Sequence, residues 1–406
     1  MGIGVGLDVA RSSLAVASEQ ISIVSRNVAR IDDPNATRKV ARVVTGPGSQ
    51  VHIARVDRAY DSLMLEKYLS SNSSATTQTT ILNALTQLSQ TIGDADTGRS
   101  PANLIAQLGG ALQQYATNPQ NAAVGASVVS SAKDLAYALN EATLAVNSVR
   151  QQADADIANS VADINTLLKQ FGELNAQIVQ GSRGGGDLTD LMDARDGVLK
   201  QLSAELGIRT ISRTDNDIAI FTDSGVTLFD KVPRTVTFGA TSMLQAGGTG
   251  NAVYADGVPI AGAQHVMAVG SGRLAGLVAV RDEIAPAYQK QLDEIARGLI
   301  EAFAEYDQSA SPTLPAAAGL FTYNGGPSIP TTGVLISGLA GQIKVNPNVD
   351  PSAGGNPVLI RDGAISGNPA YAYNASGAAS FTDRIQDLIS QIDATRSFDV
   401  SAQVGA

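Results

Sequence analysis

The sequence contains no cysteine and no tryptophan, and only two of its 406 residues are histidine. Without cysteine the chain has no disulfide, no thiolate nucleophile and no Cys-ligated zinc. The two histidines, His52 and His265, are far apart in the sequence and lack other metal-binding residue types at ligand spacing. We therefore predict no catalytic, metal-binding or cofactor-binding residues and no cofactor.

Charge and aromatic side chains are also scarce. Charged residues make up 16% of the chain, aromatic residues 4%, and the formal net charge is −10. A negative balance disfavours nucleic acid and anionic membranes as partners, and few aromatic rings are available to stack on bases or sugars. No run of about 18 apolar residues occurs, and the first ten residues do not resemble a cleavable signal peptide. We expect protein partners, no nucleic acid and no membrane.

What the sequence does contain is helical periodicity, most clearly at its start. The spacing of apolar residues alternates between three and four, as in a heptad repeat: Leu7, Ala10, Leu14, Ala17, Ile21, Val24, Val28 and Ile31. Pro34 then disfavours further helix. The pattern predicts a terminal coiled-coil helix within residues 1–35 that needs a partner helix. An ordinary core helix with small Ala positions is the alternative.

The longest helical pattern begins at Asn121. No proline lies between Pro119 and Pro233, so one helix from Asn121 to Gln180 is predicted, on the order of 90 Å long. Helical spacing returns in residues 187–206, 282–306 and 381–392. Residues 36–207 and 274–406 are therefore predicted to form a discontinuous helical rod domain.

Between these helical regions the period of the apolar residues changes from about 3.6 to about 2. Ile218–Thr222 and Val226–Phe229 flank an Asp-Ser-Gly turn, which is typical of a β-hairpin. Residues 208–273 are predicted to form an inserted small β domain. The predicted fold class is mainly α with an inserted β domain, a long-helix rod with a terminal coiled-coil segment.

Three sequence features suggest other chemistry. The glycine-rich segment 181–186 lacks the strand and the Gly-Lys-Ser/Thr of a phosphate-binding loop. The carboxylate pairs Asp187/Asp190 and Asp215/Asp217 are the best general acid–base candidates of an enzyme, but no nucleophile and base accompany them. The basic residues between 26 and 58 have no interleaved aromatic residues, so a solvated face is favoured over a nucleic-acid site. We do not predict an enzyme.

Several short motifs, taken in order, resemble the flagellar hook-associated protein 1 family. The segment Ser25-Arg26-Asn27-Val28-Ala29 resembles the Ser-x-Asn-Ile-Ala segment of flagellar axial proteins, and residues 188–199 resemble the family's leucine-aspartate-arginine-aspartate stretch. Residues 272–277, 281–282, 291–293, 343–347 and 361–363 follow the family's pattern. The residues that carry the resemblance are Ser25, Asn27, Ala29, Arg195, Asp196, Arg281, Asp282, Asn346 and Pro347.

This resemblance implies a structural axial component of the bacterial flagellum at the junction between hook and filament. It implies a homo-oligomer in a tubular ring, with hook protein, other hook-associated proteins and a flagellar export chaperone as partners. It also implies an extracellular protein exported by the flagellar type III system without a cleavable signal peptide. A flagellin-like filament subunit and a secreted coiled-coil adhesin are the alternatives.

The sequence departs from the family at two places. Asn35-Ala36-Thr37-Arg38 stands where members usually carry Gly-Tyr-Ser, and these 406 residues show no C-terminal heptad helix like the one that pairs with the first helix in the family. We therefore expect the apolar stripe of the first helix to lack a partner within these residues.

Overall fold

A computed structural model describes residues 3–92, 100–184, 186–262 and 266–402. The helices of these residues are α1 (Ile3–Ala29), α2 (Ser62–Ile92), α3 (Pro101–Thr117), α4 (Ala122–Gly184), α5 (Thr189–Glu205), α6 (Arg273–Ala279), α7 (Ala285–Ala302), α8 (Leu359–Asp362) and α9 (Asp383–Asp393). The strands are β1 (Lys39–Thr45), β2 (Val51–Arg58), β3 (Ile208–Ser212), β4 (Ile218–Thr222), β5 (Thr227–Asp230), β6 (Val232–Pro233), β7 (Val236–Phe238), β8 (Val253–Ala255), β9 (Val258–Ala261), β10 (Phe321–Thr322) and β11 (Lys344–Val345).

Local sequence explains several helix boundaries. The Asp61 carboxylate accepts hydrogen bonds from the backbone N–H groups of Leu63 and Met64 and so caps α2. The Ser100 hydroxyl accepts from Asn103 N at 3.3 Å, and Pro101 occupies the first turn of α3. In the Ser- and Thr-rich part of α2 the hydroxyl groups are satisfied within the helix, because they donate to carbonyl groups four residues earlier, for example Thr80 Oγ1 to Thr76 O at 2.8 Å.

The strands form small antiparallel sheets. β3, β4, β5 and β6 form one sheet in sequence order, and β7, β8 and β9 form a second. β1 pairs with β2 as a hairpin, and β10 pairs with β11. The prediction of a mainly α protein with a β region is confirmed, and the hairpin predicted around residues 223–225 is present as β4 and β5.

The chain divides into two compact units. The first comprises residues 1–81, 154–241 and 251–278, and the second comprises residues 82–153, 242–250 and 279–406. These boundaries differ from the predicted three regions, because the α4 sequence contributes to both units. The inserted β domain, the rod and the coiled coil remain predictions.

Each unit has its own buried core. In the first unit, the rings of Phe171 and Phe229 pack edge to face with centroids 4.9 Å apart. In the second, Phe303 and Phe321 pack in the same way at 5.2 Å. Helix α4 carries a stripe of buried aliphatic residues that contributes to both cores. Leu168 in the first unit and Leu139 in the second are fully buried members of it.

Residues 39–58 differ from the sequence-based expectation. They lie in the range predicted as helical rod but form the β1–β2 hairpin. The reason is the β-branched composition around Gly46-Pro47-Gly48: Val40, Val43 and Val44 precede the turn, and Val51, Ile53 and Val56 follow it. β-branched side chains favour extended backbone, and Gly and Pro favour the reversal.

Candidate functional site

The apolar stripe of α1 faces solvent. Its large members, Leu7, Leu14, Ile21, Val24, Val28 and Ile31, are between 59% and 78% exposed, and Ala10 and Ala17 are exposed too. A row of this length on one helix face is far more apolar surface than singly scattered exposed residues provide. The alternative of an ordinary core helix does not fit this exposure.

The opposite face of α1 packs on the hairpin, and this contact fixes which way the stripe points. Val16 and Ile23 are buried there, at 8% and 3% exposure. The Ser12 hydroxyl accepts a hydrogen bond from Val51 N at 3.2 Å. The Asn27 side chain donates to Lys39 O and accepts from Lys39 N, both at 2.9 Å. Asn27, a residue of the family motif, thus extends the hairpin hydrogen bonding onto the helix.

A groove of about 780 Å³ lies between the second half of α1 and β1. Val24, Val28 and Ile31 line one side, and Val40 lines the other. The groove continues the exposed stripe onto the hairpin, since Val40 is itself exposed. The stripe and the groove together form the candidate assembly surface.

A row of four carboxylates on α5 and the residues before it faces the basic residues of α1 and the hairpin. The row consists of Asp187, just before α5, and of Asp190, Asp193 and Asp196 on it, three residues apart, so that successive members are neighbours on the helix surface. We call it the carboxylate row. Asp190, Asp193 and Asp196 lie in residues 188–199, the segment that resembles the family's aspartate-rich stretch.

Ion pairs join the carboxylate row to the basic residues, and they run from partly exposed pairs at Asp187 and Asp190 to buried pairs at Asp193. Arg26 Nη2 donates to Asp187 Oδ2 at 3.0 Å, and Arg30 Nη1 donates to Asp190 Oδ1 at 2.6 Å. Lys39 Nζ also contacts Asp190 and lies 3.5 Å from Asp193 Oδ2.

Arg58 completes this network at its buried end. Its Nη1 donates to Asp193 Oδ1 at 3.0 Å and to Asp196 Oδ2 at 2.7 Å. Lys39 and Asp193 are buried, and Arg58 is nearly so. The expectation of a solvated basic face is therefore wrong for Lys39 and Arg58, because α5 supplies carboxylates that cover them.

The environment shifts the pKa values of Asp190 and Asp196 in opposite directions. The hydrogen bond from Lys39 is the largest cause that lowers the pKa of Asp190. Burial raises the pKa of Asp196 in spite of Arg58 beside it. Burial also lowers the pKa of the neighbouring Arg195 to about 10.

The other family-motif residues serve packing and internal hydrogen bonds. Arg195 Nη1 donates to Asn175 Oδ1 at 2.8 Å and to Asn216 O at 2.6 Å. Arg281 forms a buried ion pair with Asp282 at 2.8 Å in a π-helical segment between α6 and α7.

Four remaining motif positions are found on α1 and in an irregular segment. Asn346 directly follows β11, and its backbone N donates to Leu320 O at 2.9 Å. Pro347 is the next residue. Ser25 and Ala29 lie exposed on α1. Sequence reasoning found these motifs but missed the ion pairs of the carboxylate row, although the regular aspartate spacing was visible.

The described residues contain neither a metal-binding cluster nor a membrane-spanning helix. Within residues 3–92, 100–184, 186–262 and 266–402, no group of three His, Cys, Asp or Glu side chains is arranged to hold a metal ion. In the same ranges, no helix has the length and apolarity needed to cross a membrane. His265 lies outside the described residues.

A helical fold whose motif residues mostly pair within the chain, with an exposed heptad stripe, is typical of a structural protein. The family model "Flagellar hook-associated protein FlgK helical domain" matches residues 85–311, more than half of the chain. The chain belongs to this family. This match confirms the family predicted from the motifs. It also confirms, at the level of the family, the prediction of a structural protein of the flagellar hook–filament junction.

Relatives with the same family name are distant in sequence. Flagellar hook-associated protein 1 of Bacillus subtilis is 24% identical over 400 residues, which cover 89% of this chain and 78% of that protein. The protein of the same name from Salmonella typhimurium is 23% identical over 230 residues, 54% of this chain and 41% of that protein.

A solved structure supports the fold. The flagellar hook junction protein FlgK from Burkholderia pseudomallei matches with a TM-score of 0.51 and 23% identity. The match covers 65% of this chain and 47% of that one. This chain therefore spans less than half of the Burkholderia and Salmonella proteins.

Proposed function

We propose that the chain is a structural subunit of the hook–filament junction that self-associates into a tubular ring through the stripe of α1. Hook protein would lie on one side of the ring, and another hook-associated protein or the filament on the other. The observation that carries this proposal is the solvent exposure of a complete heptad stripe.

The chemistry of the stripe favours helix packing. Fully burying a large aliphatic side chain is worth about 1.5–3 kcal/mol, so burial of the six large members would supply strong association. Ala10 and Ala17 allow a partner helix to approach closely. The residues that flank the middle of the stripe, Ser18, Gln20 and Ser25, are uncharged, so like charges do not oppose the pairing of identical helices there. Arg11, which flanks the stripe nearer the N-terminus, is charged.

The proposal is tested by placing charge on the stripe. Leu14→Asp with Ile21→Asp should abolish concentration-dependent association in sedimentation equilibrium, because two carboxylates would be buried at the seam. Ala15→Asp with Ser22→Asp is the matched control, since both residues are exposed on α1 but away from the stripe. The control should associate like the unmodified chain.

The same variants can be compared in cells that lack their hook–filament junction protein. In cells in which the unmodified chain restores swimming in soft agar, Ala15→Asp with Ser22→Asp should restore it too. Leu14→Asp with Ile21→Asp should not. Association that survives Leu14→Asp with Ile21→Asp would show that the stripe is not the interface.

We also propose that the chain is not an enzyme. Asp187 and Asp190, the sequence-based acid–base candidates, are held by arginine and lysine. Asp215 pairs with Arg183 at 3.1 Å, and Asp217 accepts from Asn175 at 2.6 Å. Carboxylates bound in this way hold their neighbours in place, which supports a structural role.

Export without a cleavable signal peptide, an extracellular location and binding of an export chaperone belong to the same proposal. The lack of cysteine supports it, since no disulfide can form before passage through a narrow channel. Recovery of the full-length chain from the medium of cells with an active flagellar export system, with its first residues intact, would test it.

A further inference from the structure

The first residues of the described chain form a distinct piece of the first unit. We call α1 together with the β1–β2 hairpin, residues 3–58, the arm. Among its described residues only two apolar side chains, Val16 and Ile23, are buried, and both lie on α1. Helix α1 packs on the hairpin, so the arm is held together internally by this small apolar contact.

The contact between the arm and α5 is polar. The four cations Arg26, Arg30, Lys39 and Arg58 meet the four carboxylates of the carboxylate row. Thr37 adds two hydrogen bonds to Asp193, from N at 3.1 Å and from Oγ1 at 2.6 Å. Lys200 Nζ donates to Pro34 O at 3.1 Å. We call this contact the ionic joint.

The charge distribution matches the ionic joint. Residues 1–58 contain eight Lys or Arg and five Asp or Glu, whereas the whole chain has a net charge of −10. The arm is therefore basic and the remainder strongly acidic. Opposite net charges attract the two parts, and this attraction weakens with salt.

We infer that the arm is a detachable unit, which opens from α5 at the ionic joint without unfolding the rest of the first unit. Residues 59–61, between β2 and α2, are the connection about which it opens. The outer pairs, at Asp187 and Asp190, are partly exposed and are screened by salt, whereas the buried pairs at Asp193 respond less. The arm carries the exposed stripe, so opening would let that surface reorient.

The absence of cysteine makes the opening measurable with a single thiol. A Cβ added at Gly197, on α5, would lie 3.3 Å from the Asn35 side chain of the arm. The thiol of Gly197→Cys is thus covered by the arm and reacts with a maleimide only when the arm opens. Ser203→Cys is the matched control, because Ser203 is fully buried on the same helix and bonded to Asn72 of α2 rather than to the arm.

The reaction rates distinguish opening of the arm from unfolding of the unit. The Gly197→Cys thiol should react about tenfold faster in 1 M than in 0.1 M NaCl, because the exposed ion pairs are screened, while the Ser203→Cys thiol should not change its rate. Because the thiol at position 197 is tightly packed, Asn35→Cys, on the arm side of the same contact, serves as a second probe. Asn35 is partly exposed when the arm is closed, so its thiol should show a smaller increase with salt.

A neutralised carboxylate tests the ionic origin of the effect. Asp190→Asn in the Gly197→Cys chain should raise the rate at low salt and reduce its salt dependence. Asp134→Asn, an exposed aspartate of α4, should leave both unchanged. Equal rates for the thiols at 197 and 203 at every salt concentration, or a rate at 197 that ignores both salt and Asp190→Asn, would overturn the inference. The measurement uses the monomer, so its outcome is independent of self-association.

Discussion

Helices α1 and α4 have the same apolar spacing but opposite surroundings. The α1 stripe is exposed along its whole length, whereas the α4 stripe, which includes Leu135, Leu139 and Ile164, is fully buried at these three positions. Periodicity tells which residues share a face of a helix. Whether that face is covered depends on what the rest of the chain brings against it, and that difference separates an assembly surface from a core.

Amide hydrogen exchange should show the largest contrast between the two helices. In the monomer, residues 3–29 should exchange at least about 100-fold faster than the α4 residues 128–171, because local opening of α1 exposes little apolar surface. Mass spectrometry of peptic fragments at low protein concentration measures both. Equal protection of the two helices would mean that α1 is part of a stable core.

Truncation of one leucine in each stripe should give the next largest contrast. Leu139→Ala should lower the free energy of unfolding by about 2–5 kcal/mol, because it leaves a cavity in the buried core. Leu14→Ala should change it by no more than about 0.5 kcal/mol in the monomer, because Leu14 is already in water. Urea unfolding of both variants provides the comparison, and a large loss for Leu14→Ala would contradict the exposure of the stripe.

The smallest effect concerns the pH dependence of the arm. The pKa of Asp190 is lowered in the folded chain, so its stabilisation is fully present above the usual value of 3.8 and is lost as the pH falls through the lowered pKa. Asp190→Asn should therefore cost a few tenths of a kcal/mol at pH 7, since the side chain is half exposed, and less at an acidic pH at which the Asp190 carboxylate is protonated.

Urea unfolding at both pH values measures this difference. Asp196 acts in the opposite direction, because its raised pKa adds stability as the pH falls. The comparison must therefore use the difference between the unmodified chain and Asp190→Asn at each pH. A cost of Asp190→Asn that grows with acidification would contradict the assigned direction.

Much of the fold could be predicted from the sequence. The predicted helix from Asn121 to Gln180 is found as Ala122–Gly184, and the predicted helix at residues 381–392 is found as Asp383–Asp393. Both predictions rest on local periodicity and on proline positions, which act within a few residues. The hairpin at residues 39–58 carried an equally local signal in its β-branched residues, and a period-2 reading there would have found it.

The sequence by itself determined which residues share a helix face, where strands replace helices after residue 207, and to which family the motifs belong. Only the tertiary structure decided which stripe is covered and which cations meet which carboxylates. Arg58 and Asp196 are 138 residues apart, so no local pattern could pair them. Local periodicity fixes the positions of side chains around a helix axis, but burial and ion pairing depend on contacts between segments that are distant in sequence.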